Sequence, residues 1–322
     1  MRSHSSLRAT RSRRTVAAAL LATGVAATAA TPIVAPIARA QAQPAIQVAD
    51  SSINYGQAAV IRGTAGPEHG GAQVSLEYGS ARGWHVLKTV TARHDGSFGF
   101  VTRLRSSGAL RVALGDAAAV RASGPVAGAA AVARSATRRV TVAARIAAPV
   151  RRLDVRSGGV AVVRGRIAPH KAGRKVRLEI LNGGWRVVDS ARTDARGGYT
   201  LTHRVGFVGA RYARVVFGGD AANAGGERRI GRIYGYRSAL ASRYDQYGGP
   251  LGCGGSLGYN AMVVAHKTLP CGTRLRISYR GRTVTATVRD RGPYVGGREF
   301  DLAGAVARRL GFNGVGRIWV TR

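Results

Sequence analysis

Cysteine is nearly absent from this chain, with two in 322 residues, and methionine is equally rare. A multiply bridged scaffold is therefore excluded, and a zinc site built on paired cysteines lacks ligands. Acid is scarce as well: Asp and Glu number 15 against 50 Lys and Arg, a formal charge of +35. Lysine supplies only four of those cations, so the charge is almost wholly guanidinium. Long apolar runs are missing too. The best candidate, Thr15 to Ala30, is short and is followed by Pro32 and Pro36, which argues against a transmembrane anchor. Glycine, in contrast, is abundant at 45 residues and suits turn-rich β structure more than long helices.

Residues 1–40 read as an export signal. Arg2, Arg8, Arg11, Arg13 and Arg14 form a basic start, Thr15 to Ala30 an apolar Ala-rich centre, and Ala38-Arg39-Ala40 a cleavage site before Gln41. The Arg13-Arg14 pair has a twin-arginine look but lacks the usual bulky aromatic after it, so the export route stays open. No cysteine follows the apolar centre to carry a lipid. Removing the six arginines of this segment leaves a mature chain at +29. Such a surface seeks anions: nucleic acid, anionic lipid headgroups or the anionic polymers of a bacterial wall. Export disfavours nucleic acid. The other reading of the charge is solubility alone.

Two stretches, 45–145 and 146–233, repeat one another. Arg62-Gly63 matches Arg164-Gly165, Val74 and Leu76 match Val176 and Leu178, Gly83-Trp84 matches Gly184-Trp185, and Gly96-Ser97-Phe98 matches Gly197-Gly198-Tyr199. Each unit alternates apolar and polar residues, as in Gln73 to Glu77 and Lys175 to Glu179, with Gly turns between. Two tandem immunoglobulin-like β-sandwiches are expected, without an inter-sheet disulfide. Trp84 and Trp185 read as packing residues of the core or sheet edge; platforms for sugar stacking are the other reading. The Ala-rich stretch 117–136 reads as a loop, followed by a last strand over Arg139 to Arg145. The units are either wall-polymer binders or spacers.

From 238 to 322 the pattern changes. Arg274 to Tyr279 and Thr283 to Val288 form a hairpin across Arg280-Gly281-Arg282, and Asp290-Arg291-Gly292-Pro293 ends its second strand. Leu302 to Leu310 reads as a short helix with Asp301 as N-cap and Gly311 as its stop, and Arg317 to Val320 as a last strand. Cys253 and Cys271 are expected to form a disulfide in an exported protein. Only Asp245, Asp290, Glu299 and Asp301 are acidic here, against thirteen Lys or Arg. A carboxyl that donates a proton to a glycosidic oxygen must come from these four. Asp290 at a strand end is suited to face a groove. Its other reading is a turn Asp paired with Arg289, Arg291 or Arg298. His266 is either an acid/base partner or a buried hydrogen-bonding residue.

Four segments carry a resemblance. Val264-Ala265-His266-Lys267-Thr268-Leu269-Pro270-Cys271-Gly272-Thr273 resembles the A-H-[KR]-T-L-P-x-G-T signature of the RlpA-like (rare lipoprotein A) family. Val288 to Tyr294 resembles its D-R-G-P-[FY] signature, Gly297 to Leu302 its G-R-x-x-D-L segment, and Ala241-Ser242-Arg243-Tyr244 its opening A-S-W-Y strand. The same Asp spacing also resembles bacterial expansins and, more distantly, family-45 endoglucanases. The resemblance implies a six-stranded double-psi β-barrel with a short helix over 238–322. It implies lytic transglycosylase action on peptidoglycan, with cleavage to 1,6-anhydro ends and no metal or cofactor. Carried over by motif position, Asp290 is the acid/base and His266 a groove residue acting with it. Tyr244, Asp301, Tyr294 and Arg291 are substrate-binding candidates. Gly255, in Cys253 to Gly258, stands where the enzymatic members carry Glu; this departure opens an expansin-like, non-cleaving alternative. The expected protein is secreted and wall-associated; its oligomeric state is not indicated by the sequence.

Overall fold

The computed structural model describes residues 43–80, 83–116, 120–121, 132–150 and 152–322. The export signal and most of the Ala-rich stretch lie outside them. The described chain is mostly β, with one short α-helix and a 3-10 turn at Pro67–His69.

The strands follow in chain order. The first set is β1 (Ala45–Val48), β2 (Ser52–Asn54), β3 (Ala58–Thr64), β4 (Gln73–Ser80), β5 (Gly83–Thr91), β6 (Ser97–Arg103), β7 (Gly108–Leu114) and β8 (Arg138–Ala143). The second is β9 (Arg145–Ala147), β10 (Arg152–Arg156), β11 (Val160–Ala168), β12 (Lys175–Leu181), β13 (Trp185–Arg192), β14 (Gly198–Arg204), β15 (Gly209–Gly219) and β16 (Ala224–Tyr244). β1-β3-β6 make one antiparallel sheet and β5-β4-β7-β8-β2 another, with β2 parallel to β8. β9-β11-β14 and β13-β12-β15-β16-β10 repeat this pairing strand for strand, including a parallel β10–β16 pair. Even the bulge recurs, at Leu76/Glu77 and at Leu178/Glu179. Each unit has its own core: Ile61, Leu76, Phe98, Phe100, Leu110 and Val142 in one, and Ile167, Leu178, Tyr199, Leu201, Val215 and Phe217 in the other.

The matched residues have physical reasons to recur. A Cβ on Gly63 would collide with the Phe98 ring and the Ala45 carbonyl; on Gly165 it would collide with Tyr199 and the Ala147 carbonyl. Only glycine lets the aromatic of the next strand lie across the sheet. Glu77 is buried and accepts from Arg111 Nε at 2.7 Å, and that guanidinium lies 3.8 Å from the centre of the Trp84 ring. Glu179, Arg214 and Trp185 repeat the stack, with 2.8 and 4.2 Å. The indoles are therefore sheet-surface residues, each with one face covered by arginine.

The C-terminal segment begins inside β16. This 21-residue strand pairs with β15 and β10 in its first half. Its second half pairs with β21 (Val315–Val320) and β20 (Phe300–Ala303). The stretch between 233 and 238 is thus continuous strand. β17 (Val263–His266) lies between β20 and β19 (Arg282–Asp290), and β18 (Arg274–Tyr279) joins β19 to β21. The core is Val264, Leu275, Ile277, Val288, Phe300, Leu302, Val306 and Ile318. The hairpin expected at 280–282 is present, with Arg280 and Gly281 both at positive φ. The expected helix is shorter: α1 (Gly304–Leu310) has Ala303 as its N-cap, without a side-chain capping bond, and ends at left-handed Gly311. Asp301 is not the N-cap; the residue belongs to β20, because its backbone is engaged in strand pairing with Ser242 and Ala265.

Replacing Gly165 with Ala should lower stability by about 1–3 kcal/mol, the usual cost of overpacking. Gly184→Ala, where nothing lies within 4 Å of the added methyl, should be nearly neutral. Thermal or urea unfolding checks this; equal effects of the two changes would contradict the packing argument.

Candidate functional site

Strand register assembles the site. Ala265 on β17 is the Cα partner of Asp290 on β19 and of Asp301 on β20, so two carboxylates flank one residue across three adjacent strands. Their backbones are two strand spacings apart, roughly 9–10 Å. On the far side of β20, Ser242 of β16 is the partner of Asp301, and its hydroxyl is hydrogen-bonded to the Asp301 carboxylate. Tyr244 follows two residues later on the same strand. Its phenol is pushed far up in pKa by burial, then by the carboxylates of Asp290 and Asp301, so it stays protonated. Its hydroxyl is buried and makes no hydrogen bond of good geometry, although Asp290 is close enough to act on it. Tyr244 thus places a protonated hydroxyl within electrostatic reach of both acids.

Asp290 closes β19, and its Oδ1 accepts from the amides of Gly252 and Arg291, both at 2.8 Å. Among the described residues no guanidinium lies within ion-pair distance of it. The neighbouring arginines are engaged elsewhere. Arg289 donates to the Gly254 carbonyl at 3.1 Å. Arg291 donates to the carbonyls of His266 and Leu269 at 3.1 and 2.7 Å and to Cys271 Sγ at 3.0 Å. Arg291 therefore braces the 266–271 loop, a use its sequence position did not reveal. Tyr294, four residues beyond Asp290, is 82% exposed and open to contact.

Cys253 and Cys271 are disulfide-bonded, with Cα atoms 5.8 Å apart. The bridge joins two loops that border Asp290: one supplies the Gly252 amide, and in the other Gly272 donates to the Val288 carbonyl at 2.8 Å. A loop of this length contributes roughly 3 kcal/mol in the chain-entropy model. Gly255 lies in the first loop at φ 79°, the left-handed region, where a Glu would be strained.

His266 is nine-tenths buried against the Phe300 ring. Its Nδ1 accepts from the amides of Thr268 and Leu269 at 3.1 and 3.0 Å, so the proton of the neutral ring resides on Nε2. Nε2 is 3.6 Å from Glu299. Glu299 in turn forms a bidentate pair with Arg237, which holds its carboxyl below the usual range. Burial lowers the His266 pKa despite the opposing pull of Glu299. Arg237 is the site neighbour that sequence reading does not name; Glu299 is one of four candidate carboxyls and Ser242 part of a matched motif, neither with an assigned role. Glu299 lies within the Gly297 to Leu302 motif and Ser242 within the Ala241 to Tyr244 motif, while Arg237 shows only through the register of β16.

The shift at His266 has a sign. The folded pKa lies below the unfolded one, so the folded state binds fewer protons as pH falls. The stability it contributes is whole above the unfolded value near 6.5 and is lost as pH drops below it. His266→Asn keeps an acceptor for the two amides and removes the titration. Stability measured in urea between about pH 7 and 5 should fall less steeply for that variant than for the parent; equal slopes would contradict the assignment.

Comparison with known proteins bears on this segment. The family described as "Lytic transglycolase" matches residues 237–321. A Synechocystis protein named "Probable endolytic peptidoglycan transglycosylase RlpA" is 36% identical over 90 residues, 27% of this chain and 24% of that one. The "Endolytic peptidoglycan transglycosylase RlpA" of Neisseria meningitidis serogroup A is 36% identical over 84 residues, 26% of this chain and 30% of its own. The chain thus spans about a quarter of the curated relatives it matches. Among solved structures, a tetra-tandem repeat in the extending region of a large adhesion protein covers 80% of the chain and 66% of its own at 15% identity, with a TM-score of 0.30, too low to bear on the fold. The similarity to lytic transglycosylases belongs to the C-terminal segment that holds Asp290 and Asp301.

Proposed function

We propose that this chain is an exported, wall-associated protein whose C-terminal domain cleaves peptidoglycan glycan strands as a lytic transglycosylase. In this reading 45–145 and 146–233 are immunoglobulin-like sandwiches, and 238–322 is a six-stranded double-psi β-barrel. The observation that carries it is the state of Asp290: a carboxylate at a strand end, fixed by two backbone amides, paired with no cation among the described residues, and close to a protonated tyrosine. The match of 237–321 to the lytic transglycosylase family supports the same reaction class. Among the described residues no helix is long and apolar enough to cross a membrane.

The chemistry needs one acid. Protonated Asp290 gives its proton to the bridging glycosidic oxygen as the C1–O bond breaks. The carboxylate then takes the proton of the sugar's own 6-hydroxyl as that oxygen bonds to C1. The 1,6-anhydro ring closes, the enzyme recovers its proton, and no water is consumed. The buried phenol of Tyr244 stays neutral beside Asp290 and helps shape its surroundings. The Asp301 carboxylate, oriented by Ser242, stabilises positive charge developing at C1. Tyr294 packs against a sugar ring. His266 and Arg291 act as positioning residues: the first holds the 268–269 amides and faces Glu299, and the second braces the loop next to Asp290.

Purified protein incubated with peptidoglycan should release anhydro-muropeptides, and Asp290→Asn should reduce their yield about 100-fold or more, the usual worth of a general acid–base. Undiminished yield from Asp290→Asn would reject its role. Sedimentation with peptidoglycan without any anhydro product would reject cleavage and leave the expansin-like mode.

A further inference from the structure

The second β-sandwich carries a cleft of about 570 Å³ whose rim is formed by four arginines: Arg145, Arg164, Arg166 and Arg228. Ala147 and Gly165 lie between them. All four side chains are exposed, and among the described residues none forms an ion pair, a hydrogen bond or a ring stack. That distinguishes them from Arg111, Arg174, Arg214 and Arg237, each bonded to a carboxylate. Four like charges around one cleft repel one another, and no acid there offsets them. Folding gains nothing from that arrangement.

The first sandwich serves as an internal control. In β1–β3 the partner of Ala45 is Thr64, and in β9–β11 the partner of Ala147 is Arg166. The same offset sets Gln43 against Arg145. Two of the four cations are therefore absent from the duplicate, which builds the same sheets without them. The fold does not require those two, and solubility does not call for four of them at one cleft; their convergence points to a ligand.

We propose that this cleft binds a polyanion bearing phosphate groups along its chain. Guanidinium forks match phosphate oxygens two by two and keep their charge at every physiological pH. Four cations require more than one negative charge within reach, and a chain with regularly spaced phosphates supplies it. The site anchors the protein on such a polymer, and its ligand is separate from the glycan addressed by the barrel.

The test uses the full mature chain and immobilised inorganic polyphosphate, so an inactive barrel does not alter the readout. The parent should be retained at physiological salt and released as salt rises. Arg145→Gln with Arg166→Thr installs the residues of the first repeat, so the sheet is expected to fold. It should weaken retention about tenfold or more, through lost charge-assisted hydrogen bonds. Arg62→Gln with Arg103→Gln removes the same charge from the matching sheet of the first repeat and should leave retention unchanged. Equal loss in both double variants would overturn the proposal in favour of unspecific charge attraction. Equal retention of the parent on polyglutamate would overturn the assignment to phosphate.

Discussion

In a chain with 50 cationic side chains and 15 acids, the partner each carboxylate takes decides whether it can exchange a proton. Glu77, Glu179, Asp220, Asp245 and Glu299 are all paired with arginine. Asp290 and Asp301 are held instead by amides and by a serine hydroxyl, as Asp95, Asp189 and Asp194 of the sandwiches are held by amides; of these, Asp290 and Asp301 alone face each other across one strand. A salt-bridged carboxylate is stabilised as the anion and is a poor proton donor. Freedom from arginine is thus the condition on which the acid–base role proposed for Asp290 depends.

Three devices maintain that condition. Arg289 and Arg291 flank Asp290 in sequence, yet loop carbonyls draw their guanidiniums away. The disulfide ties together the loops that supply one of those carbonyls and the Gly252 amide. The register of β16 sets Ser242 beside Asp301 and brings the Tyr244 phenol within electrostatic reach of both acids. β16 also fixes the segment to the second sandwich. Where the two meet, Tyr236 donates to Asp154 at 2.7 Å, and Arg156 stacks 4.1 Å from the Trp319 ring centre. The unbroken strand makes that junction a packed surface rather than a flexible tether.

The sequence makes local structure legible. The 274–288 hairpin is specified by alternation around a Gly turn, the helix end by Gly311, and the repeated pairing by Gly63/Phe98 and Gly165/Tyr199. What it hides depends on residues distant in the chain. Asp301 before an apolar run has the pattern of a helix cap, but pairing with β16 and β17 extends the strand through Ala303 and delays the helix to Gly304. Trp84 and Trp185 read as packing residues, and what they pack against is hidden in sequence: Arg111 and Arg214, across an intervening strand, each cover one face. His266 has the pattern of a catalytic residue, yet the amides of Thr268 and Leu269 occupy the nitrogen that would take a proton. Asp290 itself was legible only as one of two readings. What separates them is where Arg289 and Arg291 point, which no local pattern encodes.

The most direct test of the account is a crystal structure of the protein with a peptidoglycan fragment long enough to cross the groove. The account predicts a glycosidic oxygen about 3 Å from the Asp290 carboxylate, with Tyr244 beside it and no arginine bonded to Asp290. A saccharide bound away from Asp290, or an Asp290 paired with Arg289, Arg291 or Arg298, would contradict it.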